Sequence, residues 1–244
     1  MIDIHSHIIY GVDDGPSTIS QSLSMIREAE KLGISMIVAS PHYHENIFNL
    51  EHAEENYQQL IYSARDYEVT IAMGYEVFVN PFSRTCLKDY RKLSLDKSGI
   101  ILLEFPYNAN VHACFDVITN LRKQRITPVI THIERNRNFL KEIHYLQEFI
   151  KAGCYIQVDS ASIAGVYGLK IKEFTKKLLH LKLVDVVASN AHYPEDYTNW
   201  YAQAYNNVSN WVGGEQARLL FHDNAKNILD IKCIQEFSYQ NIIE

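Results

Sequence analysis

The chain has 244 residues, 47% hydrophobic and 21% charged, which is globular composition with enough length to bury one large core. A formal net charge of −6, from 23 bases against 29 acids, disfavours a nucleic-acid partner, which a basic face would serve. No apolar run is as long as a membrane span, and the first residues lack the basic and apolar regions of a signal peptide, so the sequence reads as cytoplasmic.

Along the chain, strand-like apolar runs alternate with helical patterns. The strand candidates are residues 2–7, 35–40, 69–76, 100–105, 127–132, 154–159 and 184–189. Several are apolar throughout, such as Met36-Ile37-Val38-Ala39 and Ile100-Ile101-Leu102-Leu103, as strands buried on both faces require. Helical periodicity covers 20–32, 50–67, 112–124, 139–152 and 168–180, with Gly33 and Gly153 where helix C-caps belong. There are 10 Gly and 6 Pro and no linker rich in either, so residues 1–244 read as one domain. Strand-helix repetition of this kind predicts an α/β fold with a parallel sheet, a single distorted (β/α)7 TIM-like barrel.

The four cysteines, Cys86, Cys114, Cys154 and Cys233, form no CxxC pair and read as reduced and structural. A thiolate phosphatase loop needs Cys, five residues, then Arg. The residues six after each cysteine are Lys92, Asn120, Ser160 and Tyr239, which excludes that loop.

In a barrel of this type the active site is built at the C-terminal ends of the strands. His5 and His7 end the first predicted strand, His42 follows the second, and Glu76 ends the third. Glu104 ends the fourth, His132 the fifth, and Asn190 and His192 follow the seventh. In His5-Ser6-His7 the side chains at i and i+2 leave one face of an extended strand, so both imidazoles can meet one ion. Imidazole with carboxylate suits manganese, iron, zinc or cobalt, and a carboxylate such as Glu76 can bridge two ions about 3.5–4 Å apart. Singly, most of these residues have ordinary readings: a Glu after a strand stabilises a helix N-terminus, and Asp13-Asp14-Gly15-Pro16 makes a turn. Their recurrence at strand ends is what points to a metal centre.

These residues resemble a known family. Met1-Ile2-Asp3-Ile4-His5-Ser6-His7 with Val12-Asp13-Asp14-Gly15 is similar to the start of PHP-domain phosphoesterases, and more narrowly of the manganese-dependent bacterial protein-tyrosine phosphatases of the CpsB/YwqE type. The likeness continues through Ser40-Pro41-His42, Gly74-Tyr75-Glu76, Leu103-Glu104-Phe105 and Thr131-His132-Ile133-Glu134-Arg135, and ends with Ala188-Ser189-Asn190-Ala191-His192 and Phe221-His222-Asp223-Asn224. It implies the PHP fold and up to three ions per chain, manganese or else iron, zinc, cobalt or magnesium. One ion would sit on His5, His7, Glu76 and Asn190, a second on Glu76, Glu104 and His132, and a third on Asp14, His42 and His192. Arg135 would hold substrate phosphate, with Asp14, His192 and Asn190 also at the reacting centre. The implied reaction is attack of metal-activated water on phosphotyrosine. The implied partner is a bacterial tyrosine kinase of capsular or exopolysaccharide synthesis.

The sequence departs from the family at one ligand, where Asn190-Ala191-His192 replaces the usual Asp-x-His. Asn offers one neutral carbonyl oxygen in place of two anionic ones. Three accounts stand open: an introduced inactivating change, a natural low-activity form, or compensation by Asp159, which could instead cap the following helix. The family's arginine soon after that motif is also missing from 193–201, which places more of the phosphate binding on Arg135. Asp13 is a candidate support for Asp14, His44 a rim residue, and Tyr43, Tyr107 and Tyr193 candidate walls of a phosphotyrosine cleft. The rival readings are a PHP phosphatase of a small ester of the histidinol-phosphate type, an amidohydrolase, and a barrel that binds phosphotyrosine without turning it over. An amidohydrolase would want a strand-borne lysine where Glu104 stands.

Overall fold

The computed structural model describes residues 1–45, 47–81 and 90–230. In chain order its elements are β1 (Ile2–Ser6), α1 (Ile19–Lys31), β2 (Met36–Ala39), β3 (His42–Tyr43), α2 (Leu50–Ser63), β4 (Thr70–Met73), β5 (Glu76–Phe78), β6 (Ile100–Glu104), α3 (Val111–Lys123), β7 (Thr127–Ile130), α4 (His144–Lys151), β8 (Tyr155–Asp159), α5 (Ser160–Ala164), α6 (Leu169–His180) and β9 (Val186–Ala188). A helical run completes them: α7 (Pro194–Asp196), α8 (Ala202–Val212) and α9 (Gly214–Arg218), with π-helical turns at Tyr197–Tyr201 and Leu219–Asp223.

The strand pairs are parallel, in the orders β1-β2-β4 and β3-β5-β6-β7-β8-β9. The two sheets are continuous where chains cross between them. Gly74 N donates to Ala39 O at 2.8 Å and Glu76 N to Pro41 O at 3.1 Å, so β2–β3 and β4–β5 break side by side. The sheet curls until its ends meet: Asn190 N donates to His5 O at 2.9 Å and His7 N to Ala191 O at 2.8 Å.

Alternation along each strand divides the core in two. Ile2, Ile4, Val38, Leu102, Val129 and Val186 point one way and pack with Leu95, Ala225 and Ile228. Ile37, Ile101, Leu103, Ile130, Ile156 and Val187 point the other way and pack beneath helices, against Met25, Ile118, Phe149 and Leu178. Both faces of the strands are therefore dry, which is why the sequence runs are apolar throughout.

Local chemistry sets the helix ends. Thr18 and Gln21 form a capping box at the start of α1. Gly33 and Gly153 follow α1 and α4 with φ of +75° and +89°, as expected of helix-terminating glycines. The helix expected over 139–152 begins only at His144, because Asn136 accepts from Asn138 N and Asn138 donates to the carbonyls of Asn108 and Ala109, holding that stretch as a loop. The helix expected over 50–67 stops at Ser63. The strand expected over 69–76 is two strands, since a Cβ on Gly74 would stand 2.6 Å from Leu95 Cδ2 and the chain turns there. Cys114 and Cys154 are buried free thiols, while Cys86 and Cys233 lie outside the described residues. Among the described residues no helix is long and apolar enough to cross a membrane.

Candidate metal centre

The polar ends of the strands converge on one carboxylate. Glu76, fully buried at the start of β5, places Oε2 3.2 Å from His5 Nε2, 3.6 Å from His7 Nε2 and 3.0 Å from His42 Nδ1. Its Oε1 lies 2.8 Å from His132 Nε2 and accepts from Thr131 Oγ1 at 2.8 Å. Glu104 stands behind, 3.9 Å from His42 Nδ1 and 3.8 Å from His132 Nε2. A second carboxylate, Asp14, reaches over from the loop after β1 and lies 3.2 Å from His192 Nε2 and 3.6 Å from His42 Nε2. His7 and His192 stack at 4.0 Å, joining the two groups. Three sets of potential ligand atoms each fall within 4.8 Å of one another: His7, Asp14, His42 and His192; His5, His7 and Glu76; and His42, Glu76 and Glu104.

The tautomers suit cation binding. His5 Nδ1 donates to Gln157 Oε1 at 3.1 Å, His7 Nδ1 to Asp13 Oδ2 at 2.7 Å, and His192 Nδ1 to the Asn190 carbonyl at 3.0 Å. Each ring is thus fixed by its outer nitrogen and turns its Nε2 inward, free to ligate once its proton is displaced. Asp13 therefore supports His7, and it also accepts from His42 N, rather than supporting Asp14. Buried polar atoms nearly always have hydrogen-bond partners. Here Glu76 Oε2, His42 Nδ1 and Asn190 Oδ1 are buried without one, although three nitrogens crowd the first of them. Converging imidazole nitrogens and carboxylate oxygens, some of them buried without a partner, fit a divalent cation, and imidazole-carboxylate sets fit first-row metals. Two residues of the site, His132 and Asn190, adopt left-handed backbone with φ of +33° and +49°, the kind of strain that concentrates at functional sites.

Burial opposes charge on His5, but the Glu76 carboxylate outweighs it and lifts the ring to about 9. His42 follows the same pattern, also to about 9. His7 goes the other way, to about 4, because burial and the neighbouring His192 outweigh Asp13. Glu76 is held well below its ordinary value: burial would raise it, but His5 and His132 prevail. Glu104 is raised by burial and by Glu76.

Beside the metal-ligand cluster opens a cavity of about 350 Å³ that includes Glu104, His132, Asn190, Trp200 and Arg135 in its lining. The Arg135 guanidinium carbon lies 4.7 Å over the Tyr107 ring and 4.3 Å over the Tyr167 ring, so its fork is clamped between two aromatics. Tyr107 and Tyr193 line this cavity, whereas Tyr43 packs away from it against Phe48 and Tyr75. A larger cleft of about 1000 Å³ continues outward from Tyr107, Arg135 and Tyr167 past Arg137, Lys141 and Lys170. His44 packs on Phe78 at the rim. Asp159 makes no side-chain cap to α5; its carboxylate faces the site and meets Arg135, Gln157 and Asn190. Gln157 is not among the candidates the sequence offers, and Asp159 is one whose role the sequence leaves open between a helix cap and compensation for Asn190. The available signal was their i, i+2 spacing on β8, which puts both on one face.

A curled parallel α/β sheet that gathers histidines and carboxylates at its strand ends defines a barrel-like protein with a candidate metal centre. The chain belongs to the CpsB/CapC family of capsular polysaccharide synthesis, whose model matches residues 1–230. It is 32% identical over 238 residues to the tyrosine-protein phosphatase CpsB of Streptococcus agalactiae, covering 94% of this chain and 98% of that one. It is 29% identical over 235 residues to the tyrosine-protein phosphatase YwqE of Bacillus subtilis, covering 94% and 91%. Its fold superposes with a TM-score of 0.81, at 29% identity and 95% of both chains, on a structure from the work on B. subtilis YwqE and Streptococcus pneumoniae CpsB, described as metal-dependent tyrosine phosphatases. The histidinol phosphate phosphatase of Lactococcus lactis shares the fold alone, at 13% identity and a TM-score of 0.56 over 91% of this chain and 94% of that one.

Proposed function

We propose that this chain is a metal-dependent protein-tyrosine phosphatase, a phosphoric monoester hydrolase acting by activated water. The observation that carries this reading is the convergence of His5, His7, His42 and His132 on Glu76, with Arg135 at the same cavity. The first ion group is His5, His7, Glu76 and Asn190, the second Glu76, Glu104 and His132, and the third Asp14, His42 and His192. His7 and His42 are near enough to serve neighbouring groups as well. A bound divalent cluster, manganese in the favoured case, supplies an activated water near neutral pH and offsets charge on the phosphoryl oxygens.

The remaining work belongs to the chain's own side chains. Arg135 presents a planar fork to two phosphoryl oxygens, held by Tyr107 and Tyr167 so that little ordering is left for binding. Tyr107, Tyr193 and Trp200 supply apolar wall for a phenyl ring, which favours an aryl phosphate. The outer cleft, with Arg137, Lys141 and Lys170, gives room for a protein segment on either side of the phosphotyrosine. The substrate that fits the family's role is a tyrosine kinase of capsular or exopolysaccharide synthesis, with the phosphatase in the cytoplasm. Counting β2–β3 and β4–β5 each as one interrupted strand gives a seven-stranded, single-domain barrel, a reading supported by the hydrogen bonds that join its first and last strands.

The test is hydrolysis of a phosphotyrosine peptide and of p-nitrophenyl phosphate with added manganese, beside metal analysis. Turnover that requires the metal and two or more ions per chain is expected. Fewer than two ions at saturating manganese contradicts the cluster.

A further inference from the structure

Gln157 and Asp159 lie side by side on β8, both fully buried and facing the metal-ligand cluster. Asp159 Oδ1 accepts from Gln157 Nε2 at 2.9 Å. Its Oδ2 accepts from Asn190 Nδ2 at 3.2 Å and from Arg135 Nη1 at 3.4 Å. A carboxylate only accepts, so both amides must turn their NH2 groups toward it. Two consequences follow from that single constraint. The Gln157 carbonyl is forced toward His5 Nδ1, 3.1 Å away, which fixes the proton there and leaves His5 Nε2 free to ligate. The Asn190 side-chain oxygen is forced away from Asp159, and this Oδ1 is left buried without a hydrogen-bond partner. A buried, unpartnered oxygen at the wall of the site is available to a cation. The Arg135 fork is tethered by the same carboxylate.

We propose that Asp159 is the positioning residue of this centre: one buried carboxylate sets the His5 tautomer, leaves the Asn190 side-chain oxygen free to meet a cation, and orients the phosphate-binding arginine. It also supplies, one shell out, the negative charge that Asn190 cannot carry. The proposal rests on the metal-centre reading above.

The experiment measures manganese affinity by titration calorimetry on the full chain, with thermal melting of the metal-free protein alongside. Asp159→Asn keeps volume but can no longer dictate both amides. It is expected to weaken the tightest manganese site about 10- to 100-fold, the usual effect of removing a partner that orients ligands. The exchange variant Asp159→Asn with Asn190→Asp restores one carboxylate to the pair and is expected to recover affinity to within about threefold of the parent, which is less than the smallest loss expected above. Gln157→Met cuts the route to His5 without changing charge and is expected to weaken the same site about tenfold. These last two variants carry the test if Asp159→Asn fails to fold. Unchanged affinity in folded Asp159→Asn or in Gln157→Met, or an exchange variant as weak as the single one, overturns the proposal. A parent chain that binds no manganese overturns the metal-centre reading instead, so the two failures are distinct.

Discussion

Replacing Glu76 by Gln removes the charge on which four imidazoles converge and leaves the volume intact. In the metal-free protein His5 is held at about 9 against an ordinary 6.5. A group whose folded pKa lies above its unfolded one contributes stability that is complete below 6.5 and is lost as pH rises through 9. The interval corresponds to on the order of 3 kcal/mol at about 1.4 kcal/mol per tenfold. His42 changes in the same direction and shares the same carboxylate, so the two do not add. Glu76 itself stays ionised throughout this range because its own pKa is depressed. Urea unfolding of chelator-treated protein should therefore show the parent less stable at pH 9 than at pH 6 by a few kcal/mol. Glu76→Gln should already have lost that stability at pH 6 and show a shallower profile, the remainder coming from groups such as Glu134 and His192 that Glu76 does not hold. With manganese added, it should also bind fewer ions. A parent equally stable at both values, or a slope undiminished by the Gln substitution, would refute the electrostatic account of the cluster.

Arg135→Lys replaces a fork clamped between Tyr107 and Tyr167 with a point charge. It should lower kcat/KM on phosphotyrosine peptide by about 10- to 100-fold, roughly the loss of one charge-assisted hydrogen bond with its geometry, as steady-state kinetics will read. Asn190→Asp sets a second carboxylate about 3.2 Å from Asp159, the present amide distance. The metal-free variant should melt below the parent, yet with manganese it should melt above it and turn over faster; equal rates in both forms would remove position 190 from the mechanism. Charge reversal of Lys141 and Lys170 in the outer cleft should raise KM several-fold for a phosphotyrosine peptide with acidic flanks, at about 0.5–1 kcal/mol per screened pair, and leave p-nitrophenyl phosphate unaffected.

Much of this arrangement can be read from the text of the chain because each strand carries its own signal. Ile100-Ile101-Leu102-Leu103 is apolar throughout since both faces are covered, and Glu104 at its end breaks the pattern where the rim begins. His5 and His7 share a face through the period of two. What the text hides depends on tertiary contact. The break between β4 and β5 exists because Leu95, far along the chain, fills the space beside Gly74. The helix at Phe139 gives way to asparagine side chains that bond to a distant loop. The helical run from Pro194 onward leaves no regular helical period in the sequence, because Tyr197, Tyr201 and Phe221 point into the core at irregular, π-helical spacing. The sequence leaves Asp159 open between a helix cap and a partner for Asn190, because a local rule covers Asp before a helix, whereas its actual partners, Arg135 and Asn190, are set by the curl of the sheet.

The junction between the first and last strands bears on how the centre comes into being. Asp3 and Ser189, 186 residues apart, share a hydrogen bond directly beneath His5. The histidines made first on the ribosome therefore wait for nearly all of the β-sheet before Asn190 and His192 arrive beside them. Any cation bound across this seam stabilises only a finished molecule and leaves a nascent fragment unassisted, so metal supply would act on the lifetime of the completed enzyme more than on its early collapse.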